Sequence, residues 1–219
     1  MTDYKVARTA MVDSQLRPNE VNDKAITEAM LTVPREQFVP KAKRAVAYVD
    51  EDIEVASGRY IMEPRVFGRL LAAAEVQSVD LVLDIGPATG YSSAVLSHLA
   101  DAVVALESDA DLAAGAEAKL AELEAVNVAV MTGDMTKGLA KQGPFDVIIM
   151  NGAVAEVPKA LVKQLKEGGR LVCVVLEGGV GRARLVTKDA EGTVSSKNLF
   201  DASVALLPGF EKEEGFVFA

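Results

Sequence analysis

Residues 82–91 read VLDIGPATGY: the end of an apolar run, a turn framed by two glycines, and the start of a helical pattern. Leu81, Val82, Leu83 and Ile85, interrupted only by Asp84, have the near-continuous apolar character of a buried parallel strand. Gly86 and Gly90 bound the turn, and the apolar spacing over 92–99 predicts a helix. A glycine at such a turn lets backbone come close to a ligand, and the helix start offers free N–H groups. Twenty-one residues after Gly86, Glu107 closes a second apolar strand over 102–106. An acid at that offset is placed to hydrogen-bond the two hydroxyls of a ribose. Alone, the glycines are weak evidence and also fit a tight strand-to-helix turn; with Glu107 they point to a nucleoside cofactor.

Working outward, strand patterns at 81–85, 102–107, 127–131, 145–150 and 170–176 alternate with helical patterns at 90–100, 109–125 and 156–166. This predicts a doubly wound, mainly parallel sheet. Glu167-Gly168-Gly169 reads as a helix stop feeding into a strand, and Ala190-Glu191-Gly192 as the turn of an antiparallel hairpin. Before the sheet, 7–16, 22–30 and 65–75 read as helices, with an irregular acidic segment over 48–64. The tail, LPGFEKEEGFVFA, ends in apolar residues suited to a last strand. The expected organisation is one domain, 1–219, with an N-terminal helical cap and active-site loop over 1–75 and an α/β core over 76–219.

Half of the 219 residues are hydrophobic, and the longest apolar run, 171–176, is six residues, far short of a membrane span. The N-terminus lacks the apolar core of a secretory signal. The net charge of −9 argues against a nucleic-acid surface. Cys173, the sole cysteine, reads as core, which excludes an internal disulfide and a cysteine-based zinc site. No metal is expected, and a cytoplasmic location is. The sole histidine, His98, reads as a packing or helix-surface residue.

The turn has Ala88 where a dinucleotide fingerprint needs its second glycine, no third glycine, and no Gly-Lys-Ser/Thr. A nicotinamide dehydrogenase is therefore disfavoured. A strand ending in an acid two residues before a glycine-rich turn instead resembles the first motif of S-adenosylmethionine-dependent methyltransferases. ARTAMVDSQL, EAMLTVPREQFVP, AYVDEDIEV, LDIGPATGYSSAVLSHLA, NVAVMTGD, GPFDVIIMNGAV and VPKALVKQLKEGGRLV make the match specific. In order and spacing the chain resembles the protein-L-isoaspartate O-methyltransferase family over nearly its full length. The resemblance implies a Rossmann-like methyltransferase fold with S-adenosyl-L-methionine as donor. It implies a carboxylate acceptor, an isoaspartyl residue of a damaged protein. Asp84 would lie near the methionyl ammonium, with Gly86, Ala88, Gly90 and Tyr91 on the glycine motif. Glu107 would be the ribose acid, and Gly133-Asp134 the pair whose carboxylate receives the adenine amino group. A turn-capping aspartate is the other reading of Asp134.

The departure lies at Gly58-Arg59-Tyr60-Ile61-Met62-Glu63-Pro64, where the family usually reads Gly-Gln-Thr-Ile-Ser, a polar residue and Pro. Met62 replaces the family's active-site serine and supplies no hydroxyl. Arg59, Tyr60, Met62 and Glu63 form the candidate acceptor loop, and weak or absent isoaspartyl methylation is the expectation. A methyltransferase with a changed acceptor, including an unknown small molecule, and a non-catalytic S-adenosylmethionine-binding protein are the alternatives. An acceptor that must lose a proton would need a base, for which Tyr60, Glu63 and Asp50 are the nearby candidates.

Overall fold

The computed structural model describes residues 3–212. Its centre is a seven-stranded sheet in the order β5-β4-β3-β6-β7-β8-β9. The strands are β3 (Leu81–Ile85), β4 (Ala102–Glu107), β5 (Val128–Thr132), β6 (Phe145–Val154), β7 (Leu165–Glu177), β8 (Val180–Lys188) and β9 (Val194–Asp201). The first five are parallel, and β7, β8 and β9 form an antiparallel meander. The chain steps outward from β3 to β5 and then returns to β6 on the other side of β3. That reversal opens a crevice beyond the carboxyl ends of β3 and β6, where open α/β sheets bind ligands. The expected hairpin joins β8 to β9, its turn closed by Asp189 and Gly192.

Alternation along each buried strand separates two apolar layers. Val82, Val103, Val147, Ile149 and Val172 face the layer built with α1 (Tyr4–Met11), α2 (Lys24–Thr32), α3 (Pro64–Ala74), α4 (Tyr91–Leu96) and α5 (Ala110–Glu122). Leu83, Ile85, Leu106, Ile148 and Cys173 face the other layer. That layer is closed by Met135, Leu207, Phe210 and the one-turn α6 (Lys159–Val162).

Sequence and structure differ in four elements. The 7–16 helix is α1 followed by a π-helical turn, Val12–Leu16, and a 3-10 turn that ends at Glu20, whose φ is +66°. The 156–166 helix shrinks to α6 because its entry is set by Pro158 and its chain turns back into β7 within one turn. Gly168 and Gly169 therefore lie inside β7, at an irregularity in its pairing with β6. There a Cβ on Gly169 would stand 2.8 Å from the Lys166 carbonyl oxygen. The irregular acidic segment contains a hairpin, β1 (Ile53–Ala56) with β2 (Arg59–Ile61), turning at Gly58 with φ +66°. The apolar end of the tail lies outside the described residues. No helix among them is long and apolar enough to cross a membrane.

Cys173 is fully buried in β7, and burial pushes its thiol up to about 12 from an ordinary value of about 9. The unfolded chain loses this proton across that window and the folded chain keeps it, so stability falls as pH rises from about 9 towards 12. At pH 8 the native thiol is expected to be silent towards a chromogenic disulfide reagent and to react at the rate of unfolding. Fast labelling of native protein would contradict this.

Candidate functional site

The glycine turn stands at the carboxyl end of β3, in the crevice between β3 and β6. Asp84 is wholly buried there, accepting hydrogen bonds from the Ser92 and Ser93 hydroxyls at 2.7 and 2.6 Å and from the Asn151 amide. Both serines lie in the first turn of α4, so the apolar helix face turns to the core while its start serves the carboxylate. Desolvation raises the Asp84 pKa, against the pull of these three donors. The Asn151 amide also donates to the Ile85 carbonyl at 3.0 Å, fastening β6 to β3 at the crevice.

Gly86 adopts φ +70°, and Ala88 is left-handed as well, at φ +52°. An alanine in that region is strained by about 1–2 kcal/mol. The strain positions its N–H, which donates to the Glu107 carboxylate at 3.0 Å. Glu107 ends β4 fully buried and also accepts from the backbone N–H groups of Ser108 and Asp109. The Ser108 hydroxyl adds a longer bond at 3.4 Å, and the Arg59 guanidinium pairs with both oxygens in a fork, one bond at 2.7 Å and the other shorter. Arg59 is only 6% exposed, so the pair is a buried one.

The hairpin β1–β2 thus lays the candidate loop directly over the glycine turn. Two small cavities, each about 10 Å³, lie beneath it. Tyr60, Met62 and Asn151 border both. Arg59 borders one, with Asp52, Gly152 and Leu207, and Tyr91 borders the other, with Phe67 and Ser92. Most of Tyr91 is nonetheless cap-to-core packing: its ring lies 5.7 Å from Phe38, 5.9 Å from Phe67 and 4.8 Å under the Arg35 guanidinium. Arg35 is fully buried and donates to the carbonyls of Ala47 and Met62, at 2.7 and 2.8 Å.

Other expected site residues stand apart. Gly133 and Asp134 follow β5, and Gly133 donates to the Glu107 carbonyl, so the pair lies beside the site. The Asp134 carboxylate is exposed and caps its own turn, accepting from the Thr136 N–H and hydroxyl, which with Lys137 lowers its pKa to about 2. Glu63 turns away to the Arg65 guanidinium at 2.7 Å, its pKa raised chiefly by desolvation. Asp50 lies near Arg65 and borders neither cavity; the carboxylate that does is Asp52. Asp52 accepts from the backbone N–H groups of Glu63 and Ala205, at 2.8 and 3.1 Å, and burial raises its pKa. Asp52, Arg35, Asn151 and Leu207 were not among the expected site residues. Asn151, directly after an apolar strand, was the one with a sequence signal.

The chain matches the family model for protein-L-isoaspartate(D-aspartate) O-methyltransferase over residues 7–213. It is 39% identical over 209 residues to a protein-L-isoaspartate O-methyltransferase of Koribacter versatilis, covering 95% of this chain and 94% of that protein. A second relative, protein-L-isoaspartate O-methyltransferase 2 of Marinobacter nauticus, is 36% identical over 215 residues, with coverage of 98% and 97%. Among solved structures, a protein-L-isoaspartate O-methyltransferase superposes with a TM-score of 0.80 at 25% identity, over 92% of this chain and 66% of that one. A Plasmodium falciparum protein, described as a complex with S-adenosyl-L-homocysteine, gives a TM-score of 0.79 at 19% identity, over 94% and 99%, and shares the fold. On a family match over residues 7–213 and 39% identity across most of both proteins, this chain belongs to the protein-L-isoaspartate O-methyltransferase family of S-adenosylmethionine-dependent methyltransferases.

Proposed function

We propose that this chain transfers a methyl group from S-adenosylmethionine to a carboxylate oxygen of an isoaspartyl residue in a protein or peptide. The observation that carries this reading is the placement of two buried acids, Asp84 and Glu107, on the glycine turn at the sheet's switch point, under a loop from the cap. Asp84, Gly86, Ala88, Gly90 and Glu107 would hold the donor, with Gly133 and Asp134 beside them and Tyr91 bracing the turn. In chemical type this set fits a cation with a nucleoside: acids for an ammonium and a diol, and a glycine turn for close approach. Protein repair is the role this reading assigns, and we place it in the cytoplasm.

When bound, the donor supplies an electrophilic methyl on a sulfonium. A carboxylate acceptor is already ionised near pH 7, its ordinary pKa being about 4, so the chain need supply no base. Its residues have to orient the acceptor and exclude water, an effect worth up to ~7–11 kcal/mol when alignment is complete. Arg35 holds the Met62 carbonyl and Asp52 holds the Glu63 N–H, which fixes the acceptor loop from both sides. Met62 presents a thioether where a hydroxyl would donate to the acceptor. A second reading, a carboxylate acceptor other than isoaspartate, is favoured by this apolar contact.

Methyl transfer to an isoaspartyl peptide tests both. Turnover is expected to be slow in the unmodified protein and to rise roughly tenfold or more in Met62→Ser, by the scale of one positioned donor. Affinity for S-adenosylhomocysteine is expected to stay the same. No transfer by either form would turn the reading towards the altered acceptor or a protein that only binds.

A further inference from the structure

Glu107 offers two oxygens, with about four acceptor positions between them. Five N–H groups already point at those oxygens: two from Arg59 and one each from Ala88, Ser108 and Asp109. A ribose diol would need positions that are taken. The three backbone donors are fixed by the glycine turn and the end of β4, whereas the Arg59 side chain can swing away. The same side chain crowds the glycine meant for close approach. A Cβ on Gly86 would stand 3.2 Å from Arg59 Nη2 and 2.7 Å from Leu207 Cδ1. With the cavities here no larger than about 10 Å³, there is room for about one water and no nucleoside.

We propose that Arg59 is the residue that sets donor affinity: it occupies the ribose seat on Glu107, and the donor binds only by displacing it. The proposal rests on the donor site described above. It makes the charge of Arg59, rather than the shape of the turn, the obstacle. Displacing Arg59 breaks a buried ion pair, and the part of that loss not recovered by resolvating the guanidinium is subtracted from the donor's binding energy. Glutamine at position 59 is neutral and leaves Glu107 to its three backbone donors and the Ser108 hydroxyl, so the carboxylate stays hydrogen-bonded although its charge partner is gone.

Calorimetry with S-adenosylhomocysteine on the full chain reads this directly. Arg59→Gln is expected to bind at least tenfold tighter than the unmodified protein, and adding Glu107→Gln to it is expected to weaken binding again. If Arg59→Gln binds no tighter while the double variant binds more weakly than Arg59→Gln, the plug is refuted and the donor site stands. If the double variant binds as well as Arg59→Gln, Glu107 is not the ribose seat and the proposal falls. If no form binds although thermal melts show folded protein, the donor site itself is wrong and the proposal goes with it. Should Arg59→Gln fail to fold, arginine side-chain NMR of the unmodified protein decides. The Arg59 guanidinium protons are expected to be protected from exchange in the free protein and to lose that protection at saturating ligand; unchanged protection would overturn the proposal.

Discussion

Glu107→Ala is expected to destabilise the free protein by about 3–5 kcal/mol, before any ligand is considered. The carboxylate is wholly buried and Arg59 nearly so, so removing the acid strands a guanidinium in the interior. Three backbone N–H groups, of Ala88, Ser108 and Asp109, lose their acceptor in the same step. Urea unfolding measures the loss, and a double variant shows its origin. Arg59→Met with Glu107→Gln removes both charges while keeping volume and one acceptor, and is expected to recover more than half of it. A double variant as unstable as Glu107→Ala would place the cost in the turn rather than in the unpaired charge.

Arg35→Ala carries an expected loss of similar size, roughly 3–5 kcal/mol, from a cavity plus two orphaned carbonyls. The side chain is fully buried, spans from the Ala47 carbonyl to that of Met62, and covers the Tyr91 ring. Burial lowers its pKa, with Tyr91 and Asp52 pulling the other way, so its charge is sustained by the surrounding oxygens and the ring. Arg35→Lys would reach one carbonyl at most and is expected to recover less than half of the stability. Thermal melts rank the three proteins. Methyl transfer should fall further than stability alone implies if 59–63 is the acceptor loop we propose, because that loop loses its tie to the cap.

The central strands were legible because each is a short apolar run bounded by turn residues, and the parallel order followed from helices alternating with them. The β1–β2 hairpin was not, since its strands are four and three residues long and too short to show a period among acidic neighbours. The 156–166 helix was overread because Leu161 and Leu165 have helical spacing, yet Leu165 belongs to β7. At the site, the glycine turn and Glu107 could be read from local spacing. Arg59 could be flagged only as a departure, because the residue that explains it lies 48 positions away. Asp52 was hidden by Asp50, two residues earlier, with the same side chain and nothing local to separate them.

Gly86 lies between a residue from early in the chain, Arg59, and one from near its end, Leu207. The backbone at 205–207 is held against Ala153 by hydrogen bonds in both directions. Chains emerge from the ribosome N-terminus first, at about 5–20 residues per second. The cap, the turn and the Glu107 acid are therefore all present while the wall supplied by Leu207 is still unmade. Until Leu207 is made and bonded to Ala153, the glycine turn is open on that side. Timing, as well as affinity, thus separates a protein able to handle its ligand from one that is merely folding.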